Sequence, residues 1–150
     1  MTMIYLAYGA DVDTIRMADR HPTARLIGGT ELKNYRLVFK GCKGDGTASI
    51  EPFKGDSVPA VLWEIAEPDT AALDSALGFP DHAGKETLTV TVDRKRVKVV
   101  AYVCGSPQTG APCRYYANLM RRGYRRFGFD EQILNRAIEA AMKEREPDDT

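Results

Sequence analysis

The sequence predicts an α+β fold: a small mixed β-sheet curling toward a β-barrel, with flanking helices. Three observations carry this. Extended segments come first, short helices are inserted among them, and two helices close the chain, which is not the regular alternation of a doubly wound fold. The extended segments are short and mostly sequential, as suits a small curled sheet. No internal repeat or low-complexity linker divides the chain, so residues 1–145 are expected to form one domain and 146–150 a frayed tail.

Each element has a local reason. Met3 to Tyr8 is a short run of aromatic and β-branched residues that ends at Gly9, which reads as a buried strand entering a tight loop. Val12, Ile15 and Met17 then suit a short helix that must finish before His21-Pro22, because proline disfavours helical geometry in the residue before it. Ala24–Leu32 and Tyr35–Phe39 read as strands joined by a turn at Lys33-Asn34, and Gly41–Gly46 as a loop. Thr47–Ile50 and Val58–Ala66 read as two further strands separated by Pro52, Gly55 and Asp56, with Trp63 in the core.

From Asp69 to Leu77 the apolar period becomes helical, stopping at Gly78. Glu86–Val92 alternates, Asp93–Arg96 is a charged turn, and Val97–Cys104 completes a hairpin. Arg114–Arg122 is read as a helix stopped by Gly123, and a last helix begins after the N-cap residue Asp130.

The 150 residues carry 21 Lys+Arg and 21 Asp+Glu, so the chain is neutral, and 43% of it is hydrophobic. A domain of this length buries roughly 70% of its extended surface and needs no staple. Neutrality argues against a nucleic-acid or membrane-surface partner, either of which rewards a global excess of cations. No stretch approaches a membrane span, and the N-terminal segment lacks a positive n-region. Cys42, Cys104 and Cys113 fit neither a disulfide framework nor a zinc site, so the expected compartment is the reducing cytoplasm. No cofactor module and no metal site are expected, since His21 and His82 stand alone.

Several residues have both a chemical and a structural reading. Tyr8-Gly9-Ala10-Asp11 is either a pocket-lining loop or a plain turn, and Asp11 could simply cap the helix that follows. Leu77 shares a helical stripe with Leu73 and Ala76, which makes it a core residue or an apolar pocket wall. His82 is a general-base candidate or an exposed loop residue, and the cysteines are nucleophile candidates or core. Arg114, Arg121, Arg122, Arg125 and Arg126, interleaved with Tyr115, Tyr116, Tyr124 and Phe127, suit an acidic or nucleic-acid partner, or a solvated helix end.

The ordered set YLAYGAD, RHPTA, GGTELKNYRLVF, ASIEP, VPAVLWEI, LDSALGFP and YYANLMRRGYRRFGF resembles the γ-glutamylcyclotransferase-like superfamily over roughly Met3 to Leu134. The resemblance implies a small mixed β-barrel with flanking helices. The chemistry it implies is attack of a free α-amine on a γ-glutamyl amide, releasing an amine and closing 5-oxoproline. A Glu in an L-D-x-x-E-G motif would be the proton-transfer group, and a Y-G-S-N loop would supply backbone donors. Here the loop is Tyr8-Gly9-Ala10-Asp11, Leu77 stands at the Glu position, and Ala83 replaces a tyrosine usual in close relatives.

The expected pocket therefore comprises Tyr8, Gly9, Ala10, Asp11, Leu77, His82, Tyr116 and Tyr124. The leading expectation is a diverged member that keeps a pocket for a small molecule, γ-glutamyl or amide-containing, but lacks the usual base. Its alternatives are an active cyclotransferase using a relocated acid, Glu64 or Asp81, and a non-enzymatic interaction module built on the arginine-rich helix.

Overall fold

The computed structural model describes residues 2–42 and 44–144; the expected tail at 146–150 lies outside them. The order of elements is β1 (Thr2–Ala7), α1 (Thr14–Arg20), β2 (Arg25–Lys40), β3 (Thr47–Ala66), α2 (Thr70–Ala76), β4 (Ala83–Val92), β5 (Lys95–Cys104), α3 (Arg114–Phe127) and α4 (Glu131–Glu144). Short 3₁₀ turns at Ala10–Val12 and Glu67–Asp69 lead into α1 and α2. The strands form one mixed sheet in the order β2-β3-β1-β5-β4, with β1 antiparallel to β3 and parallel to β5.

This sheet is not a closed barrel. Curling brings its edge strands together where the Thr30 hydroxyl donates to the Thr91 carbonyl at 3.3 Å, but β2 and β4 form no ladder with each other. The α+β class stands, and the barrel expectation is corrected to an open, curled sheet.

Two apparent turns are strand irregularities. Lys33-Asn34 does not reverse the chain, since β2 runs unbroken from Arg25 to Lys40, and Pro52, Gly55 and Asp56 do not divide β3. The pairing jumps from Lys33 opposite Ser57 to Tyr35 opposite Pro52, leaving Asn34 across from a four-residue excursion, 53–56. Asn34 takes φ 66° and Gly55 φ 95°, and the Asn34 side-chain carbonyl accepts from the Gly55 N–H at 3.1 Å. Turn-forming residues thus produce a bulge that bends a long hairpin. Between β4 and β5 the turn tightens to Asp93-Arg94, both at positive φ, as a two-residue hairpin loop requires.

Gly123 does not end α3. The helix continues to Phe127 and closes at Gly128, which takes the left-handed φ of 71°. Gly123 is instead a contact point: a Cβ there would lie 2.5 Å from both the Val12 side chain and the Val12 carbonyl oxygen. Bare backbone lets α3 seat on the N-terminal 3₁₀ turn, where Val12 is fully buried. Next to this contact, Arg122 grips the buried Asp13 carboxylate with two hydrogen bonds, at 2.8 and 2.5 Å. The Asp130 side chain accepts from the Gln132 N–H at 2.9 Å at the start of α4, the capping role expected of it.

The core includes Leu6, Met17, Val58, Leu62, Leu73, Met120 and Leu134, together with Trp63, as expected. Cysteines are not part of it: Cys42 is exposed, and Cys104 and Cys113 are half-buried, against the expectation of core thiols. Cys113 caps α3, its sulfur accepting from the Tyr116 N–H.

Gly123→Ala tests the α3 contact. Helix propensity favours Ala by up to about 1 kcal/mol, but a Cβ driven into backbone costs about 1–3 kcal/mol. We expect a net loss of about 1–2 kcal/mol in urea unfolding; a stabilised variant would show that α3 does not need the close approach.

Candidate functional site

At the C-terminal end of β1 the chain leaves the sheet through Tyr8 and Gly9 and enters the 3₁₀ turn at Ala10. Gly9 has no room for a side chain, because a Cβ would lie 2.5 Å from the Tyr116 hydroxyl on α3. That hydroxyl accepts from the Ala48 N–H at 3.1 Å, tying α3 to β3. Tyr8 is buried and its hydroxyl donates to the Tyr102 carbonyl of β5.

Asp11 is not a helix cap. It lies inside the 3₁₀ turn and is only 7% exposed. Its carboxylate accepts from the Tyr5 hydroxyl at 2.8 Å and from Arg16 Nε at 3.2 Å, while the Trp63 indole N–H donates to its carbonyl at 3.2 Å. A buried carboxylate held this way is partnered by charge and by hydrogen bonds.

Leu77 follows α2 as its C-terminal capping residue, and Gly78 then takes φ 78°, a left-handed conformation that suits glycine. The turn is held by the His82 and Ala83 N–H groups, both donating to the Gly78 carbonyl. Asp74, one turn before Leu77, is engaged: Tyr102 donates to it at 2.5 Å and Lys85 forms an ion pair with it at 2.8 Å. The Lys85 ammonium also sits 4.4 Å from the Phe79 ring centroid.

These segments enclose a cleft of about 390 Å³. Tyr8, Gly9, Ala10 and Asp11 contribute one part of its lining, Leu77 and His82 another, and Tyr116 a third. Leu77 therefore faces open space as well as packing on the core. Tyr124 does not reach the cleft. It is fully buried, its ring edge-on to Phe129 at 5.5 Å, and its hydroxyl has no partner among the described residues.

Neither alternative acid lines the cleft. Glu64 pairs with Arg25 on the outside of the sheet, and Asp81 is exposed in the loop after Pro80. The arginine cluster is likewise spent in part within the chain: Arg122 on Asp13, Arg125 on Glu131 and Arg121 on Asn118 and Asn135. No group of His, Cys, Asp or Glu placed to hold a metal occurs among the described residues, and no described helix is long and apolar enough to cross a membrane.

Tyr5, Arg16 and Tyr102 also line the cleft and are not singled out by sequence, and Cys104, one of the nucleophile candidates, joins them. Arg16 lies five residues after Asp11, off the i, i+4 spacing of a helical ion pair. The two meet only because the backbone is extended at Asp13, between the 3₁₀ turn and α1. A wider groove of about 620 Å³ separates α4 from the β2–β3 hairpin, and its Arg36 is paired with Glu51. The smaller cleft is the better candidate, because it gathers buried hydroxyls and a buried carboxylate around open space.

No protein-family model matches the chain. It is 24% identical to γ-glutamylcyclotransferase of Homo sapiens over 136 residues, covering 85% of this chain and 72% of that one. The Mus musculus protein of the same name is also 24% identical, over 140 residues, covering 87% and 74%. Among solved structures, a γ-glutamyl cyclotransferase superposes with a TM-score of 0.80 at 22% identity, covering all of this chain and 91% of that one. A yeast γ-glutamyl cyclotransferase specific to glutathione superposes with a TM-score of 0.65 at 8% identity, covering 95% and 96%.

Burial raises the pKa of Tyr5, Tyr8 and Tyr116 above the ordinary tyrosine value. The neighbouring Asp11 carboxylate adds to the effect at Tyr5, and for Tyr116 the backbone N–H groups of Ala48 and Ala10 partly oppose it. The folded chain therefore keeps protons that the unfolded chain releases above pH ~10. Stability is fully present below that pH and falls as pH rises beyond it, by up to about 4 kcal/mol per pH unit for the three tyrosines together. Urea unfolding between neutral and strongly alkaline pH, followed with tyrosinate absorbance, checks this. Tyrosinate appearing at the ordinary pH in a still-folded chain would refute it.

Proposed function

We propose that the chain is a member of the γ-glutamylcyclotransferase-like superfamily, a reading that its fold and sequence likeness support, and that its cleft binds a small molecule without the family's usual proton-transfer group. One observation carries this reading: Leu77, which the resemblance places at the catalytic Glu position, lines the open cleft. A leucine there exchanges no proton, while its apolar surface contributes to ligand burial.

The cleft's other polar groups support binding more than turnover. Asp11 is the only carboxylate in the described lining, and both its oxygens are already engaged. Tyr5, Tyr8, Tyr102 and Tyr116 hold their protons more tightly than ordinary tyrosines, chiefly through burial, so they do not act as bases near neutrality; Tyr5, Tyr8 and Tyr102 donate within the chain. No cofactor enters this account, and the ligand class is a small γ-glutamyl or amide-containing molecule. Localisation in the cytoplasm remains part of the same proposal, resting on the unpaired cysteines.

Release of 5-oxoproline from γ-glutamyl amines separates binding from catalysis. We expect none above background from the native chain and turnover in Leu77→Glu, with a gain of roughly 100-fold or more if the restored carboxyl group acts as a general acid–base. Turnover by the native chain that is lost on replacing one named acid would overturn the proposal.

A further inference from the structure

The cleft holds one arginine among its described lining residues, Arg16, whose side chain is 21% exposed. Its Nε is committed to the Asp11 carboxylate, which the Tyr5 hydroxyl holds from its other oxygen. Neither terminal guanidinium nitrogen has a partner among the described residues. The arrangement holds the guanidinium of this lining residue by its inner edge and leaves its outer donors unspent among the described residues, as bidentate recognition of a planar anion requires.

We propose that Arg16 is the specificity-determining anchor of the cleft, taking the carboxylate of a small monoanionic ligand whose uncharged body lies against Leu77, Ala76 and Ala83. This rests on the reading of the cleft as a ligand site and deepens it. Charge selects the ligand class. Asp11 already offsets the charge of Arg16, so the pair suits a monoanion held by hydrogen bonds better than a dianion. The charge of Asp11, the sole carboxylate in the described lining, is already matched by Arg16, so of the two ligand classes an amide-containing acid without a free amine fits better than a γ-glutamyl amine. Asp11 is thereby a positioning residue, acting on the ligand through Arg16.

The probes are cyclopentanecarboxylate and cyclopentanecarboxamide, which share a body and differ in charge. They would be titrated at millimolar concentration into chain labelled with ¹⁵N at arginine and glycine. We expect the acid to shift the Arg16 Nε–H resonance together with Gly9 and Gly78, and to bind about ten- to a hundred-fold more tightly than the amide. Arg16→Gln should weaken the acid to the level of the amide and leave the amide unchanged, with Arg16→Lys in between. Equal binding of acid and amide, with Gly9 and Gly78 moving but Arg16 still, would overturn the anchor and leave the cleft as a ligand site. Silence of all three resonances with both probes would overturn the anchor and the cleft reading together. The acid-against-amide comparison uses the native chain, so it stands even if Arg16→Gln does not fold.

Discussion

Two carboxylates buried within three residues of each other govern the architecture around the cleft. Asp11 and Asp13 are 7% and 1% exposed, and buried anions are tolerated only when opposite charge and hydrogen bonds replace the lost water. Each recruits a different part of the molecule: the Asp11 carboxylate draws on Tyr5 of β1 and Arg16 of α1, with the Trp63 indole of β3 on its backbone carbonyl, and Asp13 draws on Arg122 of α3. The segment from Gly9 to Asp13 is thus a junction at which sheet and helices are fastened by charge.

Packing reinforces the same junction. Gly9 admits the Tyr116 hydroxyl and Gly123 admits Val12, so the N-terminal turn and α3 approach at two points where only hydrogen fits. The open edge of the sheet complements this arrangement. Because β5 ends at Cys104 beside the end of β1, and α2 leads into the Gly78–His82 turn, the cleft forms where β1, β5, α2 and α3 converge. Its polar side is the fastened junction and its apolar side is the exit of α2.

Sequence and structure differ for identifiable reasons. Glycine, proline and asparagine mark departures from regular backbone without saying what kind. Asn34 and Gly55 make a bulge inside a long hairpin, while Gly123 serves helix packing and not helix termination. In each case a partner distant in sequence chose the outcome, β3 for Asn34 and Val12 for Gly123. Tyr124 shows the same limit at the site: it shares α3 with Tyr116, but eight residues place it on the face turned to Phe129.

The sequence by itself determined the α+β class and most element positions, because periodicity and turn chemistry are local properties of the chain. Only the tertiary structure decided that the sheet stays open, that Leu77 borders a cleft, and that Asp11 is joined to Arg16 instead of capping α1. These depend on which groups burial forces together. A buried charge finds its partner through space, at a spacing that no helical or strand period announces.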